Sequence, residues 1–192
     1  MGKIALTPQC LIPVRPILIV GANVGGSPNF FEVGGGGLVS TDPPMVALPI
    51  RHQSYTLKGI LENRTFSVNI PSVELVKEAD YCGIVSGEKT NKVKDCNFNV
   101  FYGKLTTAPM IEQCPANLEC SVLHILGSNS HSIVIGRIDG TYISSDLVKD
   151  QKPDWEKISP LLWFPERGEY VAIGPAVGKS RSVGNELKNT AR

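Results

Sequence analysis

Charge of one sign is what this chain has least of. Its 192 residues carry 19 Lys and Arg against 18 Asp and Glu, a formal net charge of +1. That balance leaves no electrostatic footprint for a nucleic-acid duplex or an anionic membrane, so any anion it binds must be small and held locally. Long apolar runs are missing too. The densest, LIPVRPILIV over 11–20, is broken by Arg15 and two prolines and falls short of the ~18 uninterrupted residues a membrane span requires. The start, MGKIALTPQC, lacks the charged, apolar and small-residue regions of a signal peptide. Leu6 stands where a myristoylation signal needs Ser or Thr. Cysteine is scarce and unpaired in pattern: Cys10, Cys82, Cys96, Cys114 and Cys120 form an odd set with no C-x-x-C. That favours reduced thiols and a cytoplasmic location over a disulfide framework. With His52, His124 and His131 scattered, the spacings match no zinc pattern, and no metal site is expected.

What is present is an ordinary globular composition, 42% hydrophobic and 19% charged, at a length that suits one domain over 1–192. The segment 179–192 reads as a basic tail, with Lys179, Arg181, Lys188 and Arg192 against Glu186. The 19 Gly and 14 Pro punctuate short runs rich in Val, Ile, Phe, Tyr and Thr. ILIVGANV (17–24), MVALPI (45–50), TFSVNI (65–70), LECSVLHIL (118–126) and SIVIGRIDGTYI (132–143) each predict a strand. Pro49 removes a ladder donor and belongs at an edge, a bulge or a strand end. Two segments predict helices. TLKGILEN has Thr56 as a cap, with Leu57, Ile60 and Leu61 on one face. SVELVKEADYCG has Ser72 as a cap and a stripe of Leu75, Val76, Ala79 and Cys82 that stops at Gly83. Strands outnumber helices, so the fold class is mainly β, a barrel or sandwich with peripheral helices.

Three stretches carry candidate chemistry. GKS at 178–180 lacks the spacing of a phosphate loop, since three residues and not four separate Gly174 from Gly178. The run Gly34 to Gly37 fits no dinucleotide fingerprint. It reads either as a flexible hairpin or bulge, or as bare backbone against which a flat ligand lies. After it come Ser40 and Thr41, the turn Asp42-Pro43-Pro44, and a strand that delivers Arg51. Tyr55 and Thr56 then open a helix whose free amides favour phosphate. A second donor cluster lies in ADYCGIVSGEKTNKV over 79–93. Cys82, Cys114 and Cys120 read as small buried hydrophobes, His124 as a core or interface residue, and Trp163 and Tyr170 as core more than cofactor cage.

Pro28-Asn29, LVSTDPPMVALPIR with Tyr55-Thr56, FSVNIPS, EADYCGIVSGEKTNKV, APMIEQCPANLECSV, GSNSHSIVIGRI, PLLWF, GEYVAIG and GKSRSVG follow one another in order along nearly the whole chain. Together they resemble the flavin reductase-like proteins with an FMN-binding split barrel, in particular the flavoredoxin branch. The resemblance implies a six-stranded Greek-key barrel and a homodimer with FMN near the dimer interface. It also implies electron transfer from NADH, NADPH or another donor through the flavin to an acceptor. The isoalloxazine would lie along Leu38, Val39, Ser40, Thr41 and Asp42. The phosphate would be held by Arg51, Tyr55 and Thr56, and by Cys82-Gly83, Ser86-Gly87 and Lys92, with Asn29 also a binding position. His131 is the candidate catalytic residue. Contact with flavin or nicotinamide is the favoured role, because flavin carries hydride chemistry itself; the alternative is a hydrogen-bonded turn histidine. Two positions depart from the family: Gly35 stands where relatives often place Trp or another bulky residue, and Arg137 where many carry Glu. Two other functions remain open: an electron carrier with no nicotinamide site of its own, and a flavin-free interaction protein.

Overall fold

The computed structural model describes residues 2–185 and 187. Its strands are β1 (Arg15–Val24), β2 (Ser27–Gly34), β3 (Gly37–Thr41), β4 (Pro44–Arg51), β5 (Thr65–Ile70), the short β6 (Val100–Phe101) and β7 (Met110–Ile111), β8 (Ala116–Gly127), β9 (His131–Ile143), the short β10 (Val148–Lys149) and β11 (Lys152–Pro153), β12 (Leu162–Phe164) and β13 (Glu169–Val171). The helices are α1 (Tyr55–Asn63), α2 (Val76–Ile84), α3 (Lys92–Asp95) and α4 (Trp155–Ile158).

The main sheet is antiparallel in the order β13-β12-β1-β5-β8-β9-β4-β3, with β2 also paired to β1. The sheet curls until β2 and β4 approach each other, but no ladder joins them. The barrel is therefore split along that seam, and the fold is the mainly β split barrel that the sequence resembles.

The apolar run of β1 is continuous and not alternating because both of its faces are buried. Leu18, Val20 and Ala22 point into the barrel with Leu48, Ile50, Phe66, Val68 and Cys120. Ile17 and Ile19 point outward and join Phe30, Ala79, Cys82, Phe98 and Ile111 in a second core beneath α2. Each fully buried side chain of this size contributes about 1.5–3 kcal/mol, so one strand organises two cores. Asn69 links β5 to the excursion before β8. Its Nδ2 donates to the Ile19 carbonyl at 2.8 Å, and its Oδ1 accepts from Ile111 N at 2.9 Å and Asn117 Nδ2 at 2.8 Å.

The strands expected at 17–24, 45–50, 65–70, 118–126 and 132–143 all form. Pro49 sits on β4 beyond the last residue paired with β3, which is Ala47, so no donor is missed on that side. Several local expectations change. Thr56 is not the cap of α1: Ser54 holds that position, and Thr56 is buried within the first turn. SVELVKEADYCG is not one helix but a 3-10 turn over Val73–Leu75 followed by α2, and Gly83 does not stop it, since α2 runs to Ile84. Gly83 has a steric reason instead, because a Cβ there would collide with Glu32 Oε2. His124 is exposed on β8 and not in the core, because the register shifts between Val122 and His124. A further strand, β2, forms over Ser27–Gly34, where no strand was expected from the sequence. Of the basic tail, Val183–Asn185 forms a 3-10 turn, while Glu186 and 188–192 lie outside the described residues.

α1 closes one end of the barrel, with Leu57 and Ile60 in its core. It lies so close to β1 that a Cβ on Gly59 would strike the Asn23 carbonyl oxygen, the same atom that accepts from Asn63 Nδ2 at 2.8 Å. Helix propensity favours Ala over Gly by about 1 kcal/mol, whereas overpacking against backbone costs about 1–3 kcal/mol. Sterics wins. Gly59→Ala is expected to lower stability by about 1–2 kcal/mol, read as a fall in the urea midpoint at constant slope. A raised midpoint would show that α1 does not press on β1.

Candidate functional site

The open seam of the barrel is a cleft of about 850 Å³. β2 runs along it. Asn29 and Gly34 both line it and are five residues apart, roughly 17 Å at ~3.4 Å per strand residue.

Around Asn29 the walls are donors. The β4–β9 ladder sets Arg51 directly opposite His131. Ser130 Oγ lies 2.7 Å from His131 Nδ1 and fixes that ring. Arg51 makes no ion pair among the described residues. α1 begins four residues later, at Tyr55. Its first internal bond runs from Leu57 N to the Ser54 carbonyl at 3.1 Å, so the preceding amides of Tyr55 and Thr56 have no helical acceptor. Ser54 Oγ is buried without a hydrogen-bond partner among the described residues. Buried Asn29 donates from Nδ2 to Thr56 Oγ1 at 2.7 Å, and its Oδ1 lies so close to the loop after α2 that a Cβ on Gly87 would collide with it.

Lys92, the first residue of α3, is only 3% exposed and lines the same cleft. Its Nζ donates to the Cys82 carbonyl at 2.7 Å, which satisfies one of three ammonium hydrogens. Burial holds its pKa below the ordinary lysine value, with the Cys82 and Cys96 thiols acting in the opposite sense. The Cys82 thiol itself is pushed up by its hydrogen bond with Cys96 and by burial.

Beyond Asn29 along β2 the chemistry changes. Tyr170 Oη lies 3.1 Å from Glu32 Oε1 and 2.9 Å from Asp80 Oδ1. Burial pushes the Glu32 carboxyl up to about 7; the Tyr170 hydrogen bond opposes this and the Asp80 charge adds to it. The Tyr170 phenol is raised as well, by burial first and then by the two carboxylates. At the Gly34 end the Trp163 ring rests on the main chain, where a Cβ would meet it at 2.7 Å, and the Arg15 guanidinium lies 5.5 Å from the ring centroid.

The residues singled out from the sequence thus divide. Asn29, Arg51, Tyr55, Thr56, Cys82, Gly83, Ser86, Gly87, Lys92 and His131 line one cleft. Leu38, Val39, Ser40, Thr41 and Asp42 do not line it; they form edge strand β3 and the turn after it, paired with the near half of β4 and carried away from Arg51. Sequence reasoning missed Ser54, Glu32 and Asp80, and it read Trp163 and Tyr170 as core more than cofactor cage; both pack against the second core and also line the cleft. Asp80 falls inside the quoted donor stretch, but nothing in the sequence joins it to Tyr170, 90 positions away.

The chain matches the family model of the flavin reductase like domain over residues 14–173. A flavoredoxin from Methanosarcina acetivorans is similar in structure, with a TM-score of 0.93 and 38% identity, over 97% of this chain and 100% of that one. A flavoredoxin of Desulfovibrio vulgaris (Miyazaki F) gives 0.88 and 30%, over 95% and 100%. An uncharacterised protein of Archaeoglobus fulgidus is 32% identical over 147 residues, 76% of this chain and 81% of that one. The chain belongs to the flavin reductase-like family.

Proposed function

We propose that this protein binds FMN in the cleft and passes electrons through it from a donor to an acceptor. The observation that carries the reading is Lys92, a buried ammonium whose one acceptor among the described residues is a neutral carbonyl. A buried cation without an anionic partner is costly, and a phosphate at this place relieves the cost. Arg51, the free amides of Tyr55 and Thr56, and the orphan hydroxyl of Ser54 supply further donors of the kind a phosphate takes. Asn29, Thr56, His131 and the Ser86-Gly87 loop frame the rest. When bound, flavin supplies hydride and single-electron chemistry, and the chain supplies grip, orientation and exclusion of water.

Arg51→Ala removes a charge-assisted contact of about 1.5–3 kcal/mol, so FMN affinity is expected to fall roughly 10- to 150-fold. Riboflavin, which has no phosphate, should bind the variant as it binds the wild type. Titration of both ligands by flavin fluorescence decides it, and an equal loss for the two ends the phosphate role of Arg51.

The donor has two readings. Reduced nicotinamide serves a reductase, whereas a carrier takes electrons from a partner protein. Likeness to two flavoredoxins at 38% and 30% identity favours the carrier. Excess NADH or NADPH without oxygen is therefore expected to leave the bound flavin coloured while dithionite bleaches it. Rapid bleaching by either nicotinamide assigns a reductase instead.

A second copy of the chain is the partner the surface best suits. Leu38 and Val39 on edge strand β3 are 62% and 54% exposed, an apolar pair on unpaired strand backbone. Leu38→Glu is expected to turn a dimer into a monomer in sedimentation, and a monomeric wild type removes this reading.

A further inference from the structure

In this cleft a single hydroxyl stands between two carboxyl groups. Tyr170 Oη is within hydrogen-bond distance of both Glu32 Oε1 and Asp80 Oδ1. A phenol has one hydrogen, so it donates to only one of them. The other contact is a hydrogen bond only when the facing carboxyl carries a proton and donates to Oη. Among the described residues, neither Glu32 oxygen receives any other donor, and its Oε2 is pressed against the main chain of Gly83 on α2. Burial raises Glu32 to about 7, so below neutral pH the proton sits on Glu32 and the Tyr170 hydrogen goes to Asp80.

The charged and titratable groups that line the cleft with Glu32 include Asp80 and Cys82 on α2, Lys92 at the start of α3, Tyr170 on β13, Arg15 on β1, Arg51 on β4 and His131 on β9. Lys92 is committed to the Cys82 carbonyl and Arg15 lies over Trp163. None of these cations bonds to Glu32 among the described residues.

We propose that Glu32 is the proton donor to the acceptor reduced in this cleft, that Tyr170 positions it, and that the acceptor is a neutral carbonyl- or quinone-type molecule. The inference rests on the flavin reading above. An anionic acceptor is disfavoured beside Asp80, while Trp163 adds aromatic surface to the lining of the cleft. Bound flavin would supply such an acceptor with a hydride, two electrons with one proton, and negative charge would grow on the acceptor oxygen. The Glu32 O–H bond then breaks and a new O–H forms on that oxygen. The Tyr170 hydrogen turns from Asp80 Oδ1 to the new Glu32 carboxylate, and solvent water later returns a proton to Glu32. Because the donor is the protonated form, the step weakens as pH rises through about 7.

The test compares two oxidants of the dithionite-reduced, FMN-loaded protein: a naphthoquinone, which needs a proton, and ferricyanide, which takes single electrons and no proton. Glu32→Gln keeps the side-chain shape and releases no proton. Its quinone-to-ferricyanide rate ratio is expected to fall on the order of 100-fold, the scale of general acid catalysis, with the inflection near neutral pH gone. Independently, a carbon-13 NMR titration of flavin-free wild type should place the Glu32 midpoint near 7. Tyr170→Phe should move it higher, because the lost hydrogen bond favoured the carboxylate. An unchanged rate ratio in Glu32→Gln overturns the donor role and leaves the flavin reading intact. A Glu32 midpoint in the ordinary range, about 4.3, overturns it as well. A wild type that retains no flavin overturns the functional reading itself, and its lack of colour separates that result from the others before any rate is measured.

Discussion

β2 forms a ladder with β1 and none with β4, although the two strands approach each other. That unmade set of backbone bonds is the constraint on which the rest of the molecule turns. A closed barrel would bury its interior and present no groove. Here the seam stays open, and the elements nearest it must supply polar partners for what they leave facing water. α1 starts at one lip, the α2–α3 loop covers the other, and β12 and β13 lie along the far end. Each delivers side chains to the seam because the strands on either side fix where its ends fall. The β4–β9 register alone places Arg51 across from His131.

The two chemistries within the cleft follow from how each side chain meets burial. Lys92 and Glu32 share one wall, yet they form no ion pair among the described residues. Each is instead solvated locally, the ammonium by a carbonyl and the carboxyl by a phenol. A buried cation with a neutral partner retains attraction for an incoming anion, whereas a direct pair with Glu32 would have spent it. The carboxyl, enclosed beside Asp80, lowers its own cost by taking up a proton. Desolvation favours the neutral form of both groups, lowering Lys92 and raising Glu32; an incoming anion offsets that cost at Lys92, and proton uptake offsets it at Glu32.

Much of this was legible in the sequence, and the illegible part has a physical pattern. β1, β4, β5, β8 and β9 announced themselves because β-branched runs bounded by Gly and Pro read as strands whichever face is buried. β2 did not. Its sequence SPNFFEVG places Glu32 on the face with Phe30, and that apparent break in patterning is resolved only by Tyr170, 138 positions away. Residues placed by local structure, such as Arg51 at a strand end, Tyr55 and Thr56 at a helix start and Ser86-Gly87 in a loop, were singled out from local chemistry and all line the cleft. Residues whose role depends on a distant partner were not. Gly83 shows the difference within one position: at the end of an apolar stripe it reads as a helix stop, but it is glycine because Glu32 packs onto its backbone.

The run of four glycines resolves by the same logic. A loop of glycine suggests flexibility, but three of the four positions have separate reasons to lack a side chain. Gly34 carries the Trp163 ring, Gly35 sits at φ +122, and Gly36 has Leu48 and Leu18 where its Cβ would be. Only Gly37 meets open space. Most of the run is therefore packed and conformationally committed, and the connection from β2 to β3 is set by contact. The aromatic wall at this end of the cleft is borne by Trp163 from β12, and it reaches the seam because Gly34 leaves the ring room to lie on bare backbone. Any side chain at position 34 displaces that ring, and with it the hold of β12 on the end of β1, so the wall of the cleft and the edge of the sheet are fixed by one contact.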